Sequence, residues 1–187
     1  MNFSPKHRDN TVRALYFGLF LLGFITMVLK KDGTMGVVFT CISLVALVTA
    51  LFLLVRYELT TYSYIMNAKE DDFEFFVDKA VGKRGNYVCY YMISDVVFYE
   101  KYNNEKKEAL KKDFPNIFFY NYTHNLFSDK KQVIIFKNSS HYDAVIIDVD
   151  EAYDTYIKNA IELVKQAKSK PSEDDIENNE AVNITEE

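Results

Sequence analysis

Two stretches decide how this chain is built: ALYFGLFLLGFITMVL (residues 14–29) and TMGVVFTCISLVALVTALFLLV (residues 34–55). Neither contains a charge, and neither has a polar face. A helix in a soluble protein shows an apolar stripe, not an apolar cylinder, which argues against a buried hairpin in a soluble fold. At 1.5 Å per residue the second run spans about 33 Å, enough for a hydrocarbon core of roughly 30 Å. The first spans about 24 Å and needs Thr11 and Val12 to extend it, with Arg13 and Lys30 snorkelling toward the headgroups. A signal peptide is the competing reading of the first run, but no small-residue cleavage site follows: the chain reads KKDGTMG and enters the second run.

The connection Lys30-Lys31-Asp32-Gly33 is short, so the sequence predicts an antiparallel transmembrane hairpin over 11–56, with helices at about 12–30 and 34–55. Both ends then lie on one side. That side carries Lys6, Arg8, Arg13, Arg56 and Lys69 against Lys30 and Lys31 in the turn, and the positive-inside bias puts both termini in the cytoplasm of a cell-membrane protein. Tyr16, Phe17 and Tyr57 fall at the same interface as an aromatic belt. Ala46 and Ala50 form a small-xxx-small pair beside Ser43 and Thr49, suited to close packing within the hairpin or, as the alternative, to a homodimer through that face.

From Tyr57 the periodicity changes to two. Tyr62, Tyr64 and Met66 share a face, as do Phe73, Phe75, Val77 and Val81. The turn signal Gly82-Lys83-Arg84-Gly85 predicts a hairpin between them and a third strand over 87–93, followed by a fourth over 96–99. The charged stretch 103–113 reads as a loop or short helix, and three further strands follow at 117–122, 132–137 and 142–149. The period then becomes 3.6. Asp150 is the expected N-cap, and Tyr153, Ile157, Ala160, Ile161 and Val164 form one stripe before Pro171.

Whole-chain values conceal this division. The mean hydropathy of −0.15 averages two apolar cylinders with a polar remainder. The net charge of −5 combines six basic and two acidic residues in 1–56, a nearly balanced 57–170, and a tail, 171–187, with seven acids and no base. That tail is expected to be disordered. Four regions follow: a cytosolic N-terminal segment at 1–10, the hairpin at 11–56, a cytosolic α+β domain at 57–170 and the acidic tail.

Four strands, then three, then one closing helix, placed directly after a two-helix hairpin, resemble the bacterial membrane-anchored pleckstrin-homology-like (PH-like) proteins. The residues that carry the resemblance are Tyr57-Glu58-Leu59-Thr60 with Tyr62, Ile93-Ser94-Asp95-Val96, and the helix from Asp150. It implies a PH-like seven-strand barrel with a C-terminal capping helix, and brings no shared catalytic residues.

Chemical motifs are few. His7, His124 and His141 have no metal-ligand spacing, and no nucleophile elbow, phosphate loop or dinucleotide fingerprint is present. The sequence therefore predicts no enzyme, no cofactor and no metal. Cys89, in the strand with Tyr87 and Tyr91, reads as a buried core thiol, and Cys41 as a packing residue of the second helix. Asp148, Asp150, Glu151 and Asp154 read as helix N-terminal electrostatics. The candidate headgroup- or partner-binding residues are Lys83 and Arg84 at the hairpin tip and Lys101, Lys106, Lys107, Lys111 and Lys112 after the fourth strand, with Glu105, Glu108 and Asp113 interleaved. A nearly balanced domain charge argues against nucleic acid. The expected function is a membrane-anchored cytosolic binding or scaffolding module with a protein partner, the alternative being recognition of anionic lipid headgroups.

Overall fold

The computed structural model describes residues 1–5, 10–29, 33–126 and 128–169. The acidic tail, and Lys6, Arg8, Lys30 and Lys31 from the orientation argument, lie outside the described residues.

Two helices, α1 (Asn10–Val28) and α2 (Thr34–Leu54), pack antiparallel along a seam of small residues. Both are long and apolar enough to cross a membrane, and only 22% and 17% of their most apolar windows is buried within the chain. Helices in a soluble core would show the reverse. The seam is close because it lacks side chains: a Cβ at Gly23 would stand 2.7 Å from Leu47 Cγ, and Ser43 Oγ donates to the Gly23 carbonyl at 2.8 Å. Ala46 and Ala50 are buried in the same seam, so that face is occupied within one chain. α2 continues through one π turn, Val55–Leu59, and passes directly into the first long strand.

Eight strands follow the alternating pattern into two sheets. The first contains β1 (Asn2–Phe3), β2 (Thr60–Lys69), β3 (Asp72–Val81) and β4 (Arg84–Met92), antiparallel in that order. The second contains β5 (Val96–Lys101), β6 (Ile117–Asn121), β7 (Lys131–Lys137) and β8 (Tyr142–Asp148), in the order β5-β7-β8-β6. β8 lies between β7 and β6 and pairs in parallel with β6. Its buried run Asp143–Asp148 has both faces covered, which suits a central strand and explains its near-continuous apolar sequence.

A helix bridges β5 and β6: α3 (Lys106–Asp113), at the stretch expected as loop or short helix. Its Leu110 packs with Val133, Ile135, Ala144 and Ile146 on the outer face of the second sheet. The inner face, with Ile134, Phe136, Val145 and Ile147, meets Tyr62, Tyr64, Met66, Phe75 and Val77 of the first sheet. α4 (Glu151–Ser169) closes this core with the expected stripe, and Asp150 Oδ1 accepts the Tyr153 amide at 2.8 Å as its N-cap.

The architecture is therefore α+β with two four-stranded sheets. Among the described residues no ladder joins the sheets, and they do not close into one seven-strand barrel. The eighth strand comes from the segment before α1: Asn2 and Phe3 pair with Ile65 and Tyr64, and Phe3 stacks on Tyr153 at 5.0 Å.

The hairpin and the domain are joined at one end of α1 and α2. Arg13 makes a two-pronged ion pair with Glu58 of the π turn, at 2.9 and 3.1 Å. Arg56 donates to the carbonyls of Asn121, the last residue of β6, and Thr123 just beyond it, with its guanidinium over the Tyr57 and Tyr62 rings. Leu126 packs on the cluster of Val12, Tyr16 and Ala50.

Candidate binding surfaces

β4 forms the long open edge of the first sheet. β3 pairs with one side of it, and no strand of the described residues pairs with the other. The opposite edge, β1, is two residues long. Open edges present unpaired N–H and C=O groups to a partner, and proteins restrain them with bulges. β4 carries such a bulge: Val77 faces Cys89 while Asp78 faces Tyr87, leaving Val88 unmatched.

The bulge also decides which side chains are displayed. Strict alternation would place Tyr87, Cys89 and Tyr91 together on the core face. With Val88 skipped, Cys89 and Tyr91 point inward, Tyr91 stacking on Phe136 at 4.2 Å, while Tyr87 turns to the outer face. There Tyr87 is 69% exposed and Tyr90 50%, and both contact Phe76, at 5.5 and 5.0 Å between ring centres. The sequence pattern missed this aromatic surface, because a one-residue slip exchanges the two faces of a strand. Tyr90 is held by donating to Glu74 Oε1 at 3.1 Å, and Glu74 also receives Lys69 Nζ at 2.7 Å.

The basic residues singled out in the sequence fall into two separate groups. Lys83 and Arg84 form the tip of the β3–β4 hairpin, where Gly82 supplies the positive φ of 64° that this two-residue turn needs. Gly82 N donates to the Leu59 carbonyl at 3.2 Å, so the tip rests against the end of the α2 helical rod. Neither cation makes an ion pair among the described residues. The second group lies on and before α3, across the second sheet from the shared core. Much of its charge is already engaged: Lys106 pairs with Glu100 at 2.6 Å, Lys111 with Glu108 at 2.8 Å, and Lys107 lies over the Phe119 ring. Lys101 and Lys112 remain exposed. The fold does not bring the two groups together.

Three of the four acids at the start of α4 are committed to structural bonds, and the fourth, Glu151, is exposed. Asp148 Oδ2 accepts the His124 and Asn125 amides at 2.7 and 2.9 Å, Asp150 caps the helix, and Asp154 accepts Tyr99 Oη at 2.6 Å and Lys158 Nζ at 2.7 Å. A cleft of about 510 Å³ beside it is lined by Phe3, Ser4, Asn125, Lys130, Asp148 and Asp150. His141 Nε2 stands 3.3 Å from Asp143 Oδ1 at the β7–β8 turn. Among the described residues no three metal-ligating side chains converge. Burial pushes the Cys89 thiol up to about 12, so it is neutral and a poor nucleophile at ordinary pH.

No family model matches this chain, and neither does any curated protein or solved structure.

Proposed function

We propose that the chain is a membrane-anchored binding module: α1 and α2 span the cell membrane, both termini are cytoplasmic, and the domain after Tyr57 holds a protein partner there. The observation that carries this is the open β4 edge beside the exposed Tyr87 and Tyr90 rings, both in contact with the half-buried Phe76. An extended peptide adds to such an edge through main-chain hydrogen bonds, and aromatic rings supply contact area at low entropic cost. The resemblance to membrane-anchored PH-like proteins supports the same reading, with the two sheets in the role of an opened barrel.

Anchoring is supported by the outward apolar surface of the hairpin, with Phe17, Leu21, Met27, Leu44, Val45 and Phe52 all more than half exposed. Lipid is the cover such a surface requires. The ties through Arg13, Arg56 and Leu126 fix the domain beside the bilayer, so a partner would be recruited at a set height above it.

Crosslinking mass spectrometry on the full chain in its native membrane tests the proposal, with photoreactive residues at Tyr87, Tyr90 and, as control, Leu163 on α4. A protein adduct specific to the two β4 positions is expected. The same background neighbours at all three positions would remove the binding role from this edge.

A further inference from the structure

We infer that the tip of the β3–β4 hairpin is seated in the headgroup layer of the membrane that α2 crosses, with Lys83 and Arg84 on anionic lipid phosphates. This deepens the lipid-headgroup alternative and rests on the reading of α2 as a span.

The depth follows from helix length. Thr34–Leu54 rises about 32 Å, close to the thickness of a hydrocarbon core. The π turn Val55–Leu59 adds about 6 Å, which carries Leu59 into a headgroup layer roughly 5–7 Å deep. Gly82 is hydrogen-bonded to Leu59, so the tip is held at that depth by the backbone itself. The far end of the same sheet, at Glu70 and Asp71, is ten strand residues away, or about 33 Å along the strands.

The composition of the tip suits that layer. Leu59 and Val81 are exposed at 45% and 46%, an apolar pair beneath the turn. Lys83 and Arg84 follow, next to Val81 across the turn. Apolar bases with cationic ends are what the interface selects. Of the other cations of the described residues near this level, Arg13 is bound to Glu58 and Arg56 to the Asn121 and Thr123 carbonyls, while Lys79, two residues before Val81, is half-buried. Among the described residues the carboxylates near the tip are Asp78, packed against Gly85, and Glu58, bound to Arg13. The lysines of α3 lie beyond the second sheet and are not part of this surface.

The chain has no tryptophan, so a single one reports its own surroundings. The experiment uses the full chain in nanodiscs with brominated lipid, as three variants: Val81→Trp at the tip, Asp71→Trp at the far turn and Leu44→Trp within α2. Leu44→Trp is expected to be quenched in every lipid, and Asp71→Trp in none. Val81→Trp should be quenched, about two-fold more with phosphatidylglycerol than with phosphatidylcholine alone, and K83E/R84E should abolish that difference, since each cation near an anionic surface adds to the attraction. Quenching at Val81→Trp no greater than at Asp71→Trp would overturn the inference, as would quenching indifferent to lipid charge. Inorganic phosphate that removes the lipid-charge effect at constant ionic strength would also overturn it, by assigning the cations to a soluble anion. Loss of quenching at Leu44→Trp would instead refute the span, so the two failures are distinguishable.

Discussion

Tyr64→Phe removes one atom, and the structure assigns that atom an unusual share of the connection between sheets. The ring is fully buried, and its hydroxyl donates to the Tyr122 carbonyl at 2.9 Å while accepting the Asp148 amide at 3.2 Å. Deleting it leaves the buried Asp148 N–H and the part-buried Tyr122 carbonyl without this partner. An unsatisfied buried group costs about 1–3 kcal/mol, and the longer of the two bonds places its contribution at the low end, so the expected loss is about 2–3 kcal/mol. For a domain of this size that lowers the melting temperature by about 10–20 °C. The damage should also travel. Asp148 holds the His124 and Asn125 amides through Oδ2, and the next residue, Leu126, packs on Val12, Tyr16 and Ala50 of the hairpin. Thermal unfolding of the full chain in nanodiscs gives the first quantity, and hydrogen exchange over residues 122–126 and 146–149 gives the second. A loss below about 0.5 kcal/mol with unchanged exchange in both segments would refute the claim that this hydroxyl is a structural bridge.

Other outcomes follow from the same geometry. Gly23→Val should destabilise the hairpin by about 1–3 kcal/mol through the collision with Leu47, while Gly18→Val, where nothing lies within 4 Å of the added carbon, should be neutral in the same melting experiment. Arg56→Met should raise hydrogen exchange over 121–126 by releasing two carbonyls, and Arg56→Lys should restore only part of the protection, because an ammonium lacks the planar fork. Stability should fall in alkali. Burial raises the folded-state pKa of Cys89, Tyr64, Tyr99 and Tyr153, and for Tyr99 the bond to Asp154 adds to it. The folded state then keeps protons that the unfolded state has released, so these contributions are whole below about pH 9 and decline as pH rises past the unfolded values of about 9 for the thiol and 10 for the phenols. A melting temperature that is flat from pH 8 to 11 would contradict this.

Much of the fold was legible where the signal is local. The two apolar cylinders lack a polar face, and the stripe from Tyr153 to Val164 repeats at helical spacing, so α1, α2 and α4 follow from periodicity. β2 and β3 alternate cleanly because one of their faces meets the core. What could not be read was non-local. Nothing in YDAVIID states that β8 lies between β7 and β6, since that choice depends on strands far apart in sequence. β1 is two residues whose partners, Tyr64 and Ile65, lie across the entire hairpin. At the candidate surfaces, the glycines around Lys83 and Arg84 announced a turn, and the sequence could not show that it rests on Leu59. The Phe76, Tyr87 and Tyr90 surface was hidden by the bulge at Val88, which leaves no mark in residue type.

The central claim is that a membrane hairpin holds the domain on the cytoplasmic side. Single-cysteine accessibility tests it most directly, with Cys41 and Cys89 replaced and a thiol placed either at Thr34, beside the hairpin turn, or at Glu105, just before α3. An impermeant maleimide added to spheroplasts should label Thr34→Cys at once and Glu105→Cys only after permeabilisation. Labelling of Glu105→Cys before permeabilisation would contradict the orientation, and labelling of both positions from the same side would contradict the span itself.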